Sequence, residues 1–414
     1  MKDKFIIFEH EALIVDERYD GVVFTAKHHA LLERFFKEKS FPYYRLIRNG
    51  ARFCEYVGVL QIGKMVIEVL PKADDKDESH WRGMLVNMLR AVGAFDIHAP
   101  SSSDLHIKSN SILDLYIELF IDETEDLVHR GLIKKYRKTE SNNTALKGSL
   151  VFSKHIRQNF IHQERFYVRH TIYDQHHALN QILYKTIRLL KNINTARSLD
   201  SRIGALLLNF PEMEDIRVSE STFDKIVFNR KNQAYKKAMD IARLLLLNYH
   251  PDVLSGRNDV LALMFDMNLL WEQFVYRSLK KYNSKGYDIK PQSGKLFWKR
   301  NAGSGRKMIP DIIIDKGQDN WVVLDTKWKN IGDDNPSPED LRQMYLYSKY
   351  HRNAKTALVY PGFQTDFTRG CFLDELTGED TDAICGIATI KAGANIKSWQ
   401  EEIATSLLNL SFGT

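Results

Sequence analysis

Cysteine is scarce in this 414-residue chain: Cys54, Cys371 and Cys385 are odd in number, widely spaced and form no CxxC pair. That usage excludes a disulfide scaffold, argues against a zinc site and points to a reducing, cytoplasmic setting. No run approaches the roughly 20 apolar residues that a bilayer-crossing helix needs, so no membrane association is expected. Residues 1–12 carry too many charges for a secretory leader. The P-loop pattern GxxxxGK[ST] is missing, so the chain is expected to bind no nucleotide unaided. GxSxG is missing too, which removes the usual context for Ser/His/Asp catalysis. His176 and His177 are adjacent on an expected helix and point apart, unlike an i, i+4 metal pair. His155, His162 and His170 lie scattered among aromatic and basic residues and read as structural or surface groups. There is no internal repeat and no low-complexity tract.

What is present is ordinary in bulk. Apolar residues make up 43% and charged residues 27%, enough to fold and to bury sizeable cores. The length predicts two or three domains. A net charge of +6 permits nucleic-acid binding without requiring it.

Local patterns divide the chain into a β-rich amino-terminal region (1–110), a mainly helical middle (111–255) and a carboxy-terminal α/β region (256–414). In the first, Tyr56–Ile62 and Met65–Leu70 form a hairpin around Gly63-Lys64. A short helix is predicted over 30–38, a polar loop over 73–78 and a second helix over 80–90. The middle is predicted helical over 112–130, 175–193 and 232–248. Residues 251–258 are polar and turn-rich and serve as a linker. A helix is predicted over 259–282, strands over 295–298, 357–361 and 385–390, and a closing amphipathic helix over 396–410.

The chemistry gathers in MIPDIIIDKGQDNWVVLDTK, Met308 to Lys327. Two apolar, β-branched-rich runs flank the turn-forming KGQDN, which predicts a hairpin. If Asp315 pairs with Trp321, Val323 faces Ile313 and Asp325 faces Asp311. Alternation along the strand then puts Lys327 on the face of Asp325. Ile312, Ile314, Val322 and Leu324 make the other face apolar, so the charges are expected to be internal. Buried carboxylates side by side repel unless a proton or a cation lies between them. A hard divalent ion such as Mg²⁺, with Mn²⁺ as a substitute, suits oxygen donors of this kind. The commonplace alternative is an Asp–Lys pair on an exposed hairpin.

Two further features sit nearby. On the helix expected over 259–282, Glu272 shares its stripe with Phe265, Leu269, Val275 and Leu279, which places an acid on the core-facing side. Ser337-Pro338-Glu339-Asp340 is a strong helix start, and the helix it opens sets Gln343 and Tyr347 one turn apart. Basic residues cluster in two places. Residues 133–157 hold seven Lys/Arg against the single acid Glu140, which suggests an exposed excursion that contacts DNA, contacts an acidic partner or is simply solvated. Lys299, Arg300, Arg306 and Lys307 lead through Gly303-Ser304-Gly305 into Asp311, well placed to hold a scissile strand.

Pro310-Asp311, an apolar strand, a short turn, a second apolar strand and Asp325-Thr326-Lys327 resemble the active-site signature of the PD-(D/E)xK nuclease superfamily. The resemblance implies a mixed sheet flanked by helices and metal-dependent hydrolysis of a phosphodiester. It makes Asp311 and Asp325 the metal-binding acids, the Thr326 carbonyl a further ligand, Lys327 the positioning lysine and Glu272 a third carboxylate. Gln343 and Tyr347 resemble a Gln-x-x-x-Tyr element that supports the site and contacts DNA. Beyond this region, Tyr56 to Lys72, Ala145-Leu146-Lys147-Gly148, Tyr173-Asp174 through Asn180 and Met267-Asn268 leading to Glu272-Gln273-Phe274-Val275 are similar to the McrC family. Membership implies the endonuclease subunit of a modification-dependent, 5-methylcytosine-type restriction system, partnered by an McrB-like AAA+ GTPase ring. Two other readings stay open: an activator or assembly subunit of that GTPase with a weak nuclease site, and a stand-alone repair or junction nuclease.

Overall fold

The computed structural model describes residues 3–39, 42–71, 78–92, 112–194, 196–250, 260–299, 305–318, 320–329, 331, 335–351, 353–393 and 395–412. The loop expected from 73 and the linker expected over 251–258 fall outside them, apart from Glu78, which opens a helix. The chain divides into two compact units, one of Met1–Ile112 with Pro251–Thr414 and the other of Leu113–His250. The amino-terminal (1–110) and carboxy-terminal (256–414) stretches, expected as separate regions, thus gather in one unit.

In that larger unit, β1 (Asp3–Phe8), β2 (Tyr56–Ile62), β3 (Met65–Leu70) and β4 (Val260–Asp266) lie in the order β1-β3-β2-β4. β1 runs parallel to β3, and the other pairings are antiparallel. The β2–β3 hairpin keeps the boundaries read from the sequence. β4 corrects the helix expected from 259: Val260–Asp266 is a strand paired residue for residue with β2, and the helix α2 starts only at Met267 and ends at Lys281. Its leucines, alanine and methionine carry helical propensity, but a run buried against a partner strand gains more from the ladder it completes. Gly58 allows the approach, because a Cβ there would run into the Leu263 carbonyl. Phe5, Phe24, Leu32, Tyr44 and Phe53 gather with the hairpin valines and isoleucines into one core. Helix α1 (Glu78–Val92) packs against β3 and α2.

The same unit holds a six-stranded mixed sheet. Its strands are β5 (Asp288–Pro291), β8 (Ile312–Asp315), β9 (Trp321–Thr326), β10 (Lys355–Gly362), β11 (Asp366–Leu373) and β12 (Asp380–Lys391), in the order β5-β8-β9-β10-β12-β11. The β8–β9 hairpin is antiparallel, while β9, β10 and β12 run parallel. Helix α3 (Pro338–Tyr350) lays Met344 and Tyr347 over Ile313, Val323 and Leu358. Trp271 of α2 stacks on Trp399 of α4 (Ile396–Leu408), Phe274 packs against the same indole at a tilt, and the Trp271 indole N–H donates to the Val359 carbonyl. A two-stranded ribbon, β6 (Lys295–Lys299) with β7 (Gly305–Met308), precedes β8.

The second unit carries the expected helices at Ala178–Ile193 and Lys236–Leu247, and most of Ile112–Arg130. It also contains a sheet where an exposed excursion is expected over 133–157: Lys135–Asn143 and Ser149–Leu150 flank Phe166–Asp174, all antiparallel. Both faces of Lys135–Asn143 are polar, so the apolar alternation that betrays a strand is absent.

Candidate active site

The β8–β9 register pairs Asp315 with Trp321, Ile313 with Val323 and Ile312 with Leu324. Continued one step past Ile312, that register sets Asp311 opposite Asp325. Asp311 Oδ2 accepts from the Thr326 backbone N–H at 2.7 Å and from the Thr326 hydroxyl at 2.8 Å. Asp325 is 1% exposed; its Oδ1 accepts from the Gln343 amide at 3.2 Å and its Oδ2 lies 2.8 Å from the Lys327 ammonium. The Lys327 backbone N–H continues the parallel ladder by donating to Val359. The alternative of an exposed hairpin pair is therefore excluded.

Glu272 joins them from α2. It is buried, although only part of the expected stripe lies with it: Phe265 belongs to β4 and Leu269 is half exposed, while Val275 and Leu279 are in the core. Gln292 holds it in place. The Gln292 side-chain amide donates to Glu272 Oε1 at 3.0 Å, and its backbone N–H donates to the Asp311 carbonyl at 2.9 Å. A φ of 43° puts Gln292 in the left-handed region, a strain that its two bonds help to hold. Nothing in the sequence marked Gln292.

Gln343 and Tyr347 form a brace from α3. The Gln343 amide also donates to the Tyr347 hydroxyl at 2.7 Å, and that hydroxyl donates to the Ile309 carbonyl at 2.9 Å. Ser337 caps the helix through a bond from the Asp340 N–H, as its sequence foretold. Asp340, read at first only as a first-turn acid, takes part as well: it lies 3.9 Å from Lys327 and 2.8 Å from Lys329.

The electrostatics follow from crowding. Burial, then the charge of Asp311, pushes Asp325 up to about 6 against the pull of Lys327. Burial also raises Asp311, against the bonds from Thr326. Glu272 is raised to about 7 by burial and then by Asp311, with Gln292 pulling the other way. For Lys327, burial works to lower its pKa, but Asp325, Asp340 and Asp311 outweigh it and hold the ammonium above the usual lysine range.

Among the described residues, no three His, Cys, Asp or Glu side chains already converge as a metal cage. Thr326 engages one oxygen of Asp311, and Gln343 and Lys327 engage those of Asp325. The donor set nonetheless suits a hard cation. Three crowded acids with raised proton affinities face one nearby ammonium, and Mg²⁺ needs only one or two carboxylates beside its waters.

The sequence profile described as "McrBC 5-methylcytosine restriction system component" matches residues 51–361. The chain belongs to that family. No curated protein matches this McrBC component. Among solved structures, a chain of the refined half-complex from the tetradecameric assembly of Thermococcus gammatolerans McrB AAA+ hexamers with bound McrC superposes with a TM-score of 0.72 at 21% identity. That match covers 98% of this chain and 99% of the other. A chain of the cryo-EM structure of the Thermococcus gammatolerans McrBC complex gives 0.51 at 20% identity, covering 68% and 88%. Likeness at this identity establishes the mixed α/β fold.

The remaining predicted residues separate. Lys299, Arg306 and Lys307 are exposed on the β6–β7 ribbon, and the carboxylate cluster does not include them. Arg300 lies outside the described residues. No helix among the described residues is long and apolar enough to cross a membrane.

Proposed function

We propose that this McrBC component is the DNA-cutting subunit of a modification-dependent restriction system, hydrolysing phosphodiesters with Mg²⁺. One observation carries the reading: Asp311, Asp325 and Lys327 converge on one face of a buried hairpin, with Glu272 raised to about 7 beside them. Asp311, Asp325 and the Thr326 carbonyl would hold the cation, with Glu272 as an additional carboxylate. Bound there, the cation would polarise the phosphate and lower the pKa of its water. Lys327 supplies a fixed positive charge where the attacking water or the developing phosphate charge would sit. Gln343 holds Asp325 in place and Tyr347 holds Gln343, so α3 sets the orientation of an acid on β9. Lys299, Arg306 and Lys307, with Arg300, would hold the DNA backbone.

Family membership and the fold shared with a chain of the McrB–McrC assembly support a second part of the proposal, docking on an McrB-like AAA+ GTPase ring that recognises and translocates DNA. Cleavage of a methylated plasmid, with the ring and GTP present, tests the whole reading. Asp311→Asn and Lys327→Ala should each lower the rate by at least about a hundredfold while leaving ring binding intact. Retained cutting by both variants would remove the carboxylate cluster from the chemistry.

A further inference from the structure

Between Gln292 and Pro310 the chain holds five Lys/Arg and no Asp or Glu. That segment carries the β6–β7 ribbon, and two residues separate its end from Asp311. Leu296, Phe297 and Trp298 are exposed there, Trp298 by 53%, and neighbour the exposed Lys299, Arg306 and Lys307. A bulge at Phe297 shifts the register so that Lys295 faces Met308 while Trp298 faces Arg306. The bulge therefore brings Lys295, Met308, Arg306 and Trp298 to one face. The root of this face is anchored, since Met308 belongs to the core under α3 and the Lys295 ammonium donates to the Tyr350 carbonyl at 3.2 Å. Phe297 makes an edge contact with Tyr350, at 6.2 Å between ring centroids. Gly305 lets the strands close, because a Cβ there would meet the Leu296 side chain and the Trp298 carbonyl. Further out, an indole and a guanidinium stand side by side in solvent on a rigid support.

We infer that this ribbon is a nucleic-acid contact that stacks an unpaired base on Trp298 while Arg306 engages the adjoining phosphate, so the strand is gripped where it is locally unstacked. This deepens, and rests on, the reading of the domain as a DNA nuclease. Charge decides the occupant. A purely basic ribbon complements a phosphate backbone, and an exposed indole beside it offers the flat apolar surface that a base face needs. A second copy of the chain would bring the same positive charge to the contact. Inside a stacked duplex the base faces are covered, so an indole gains little from paired DNA.

The test uses the full chain without divalent metal, with anisotropy of a fluorescein-labelled 20-mer offered single-stranded and as a duplex. Trp298→Ala should weaken single-strand binding roughly tenfold and duplex binding less than about threefold, and Trp298→Phe should restore most of the loss. Arg306→Gln should weaken both and flatten the salt dependence by about one phosphate. An unchanged affinity for Trp298→Ala, or an equal loss on both substrates, overturns the stacking role. A change from dimer to monomer in sedimentation with DNA affinity intact overturns it in favour of a copy–copy interface. Because no metal is present, these outcomes are separate from the fate of the carboxylate cluster, which the cleavage assay reads.

Discussion

At the scale of single residues, the site is an excess of negative charge held in a dry place. Asp325, at about 6, and Glu272, at about 7, keep protons that the unfolded chain has already released by about pH 5. For an acid whose folded pKa is raised, the folded state binds more protons across that window, so stability falls as pH rises from about 4 to about 7. A cation bound to the ionised acids opposes the loss. Thermal unfolding should therefore show Mg²⁺ raising the melting temperature clearly at pH 7.5 and little at pH 5. An equal shift at both would mean that the ion binds elsewhere. Asp311, Asp325 and Lys327 were legible in the sequence because turn length and strand alternation fix a hairpin's register. Gln292 and Asp340 were not, because each owes its place to tertiary geometry: a left-handed backbone in one case, and a neighbouring strand's lysine in the other.

At the scale of elements, legibility followed the clarity of the local signal. The β2–β3 hairpin has a clear turn between apolar strands and was read with the boundaries observed, and α3 has a cap, a proline and acids in order and was read with the start observed. β4 failed because a short apolar run fits a helix or a buried strand equally well, and its partner lies some 200 residues upstream. The sheet in the second unit failed because its strands bury little. Glu68 of β3 shows what the amino-terminal elements owe to one buried group. It is fully buried, meets Lys4 of β1 and Arg82 of α1, and accepts from the Ile112 N–H. Glu68→Ala should lower the free energy of unfolding by about 3 kcal/mol in a denaturant titration, since it removes the buried carboxylate that Arg82, Lys4 and the Ile112 amide share. A loss below about 1 kcal/mol would mean that water replaces the carboxylate.

At the scale of the whole molecule, the amino-terminal sheet and the six-stranded sheet share one unit. The Trp328 indole, one residue past Lys327, donates to Glu9 at 2.7 Å, and the Trp328 backbone N–H donates to the Asn268 side chain. A fragment begun at residue 256 would keep β4 without β2, leaving an apolar strand edge unpaired, and would lose Glu9. Such a fragment should be aggregated in size-exclusion chromatography where the full chain is not; a monodisperse, folded fragment would show that the carboxy-terminal part stands alone. β4 also ends at Asp266 and α2 begins at the next residue, with the Asp266 carboxylate bonded to the Asn268 and Leu269 amides. Glu272 rides on that helix about 9 Å from the splice. With no loop between strand and helix to take up slack, the join works as a stiff lever: a tug on the amino-terminal sheet would reach Glu272 as movement, drawing that carboxylate toward Asp311 and Asp325 or away from them.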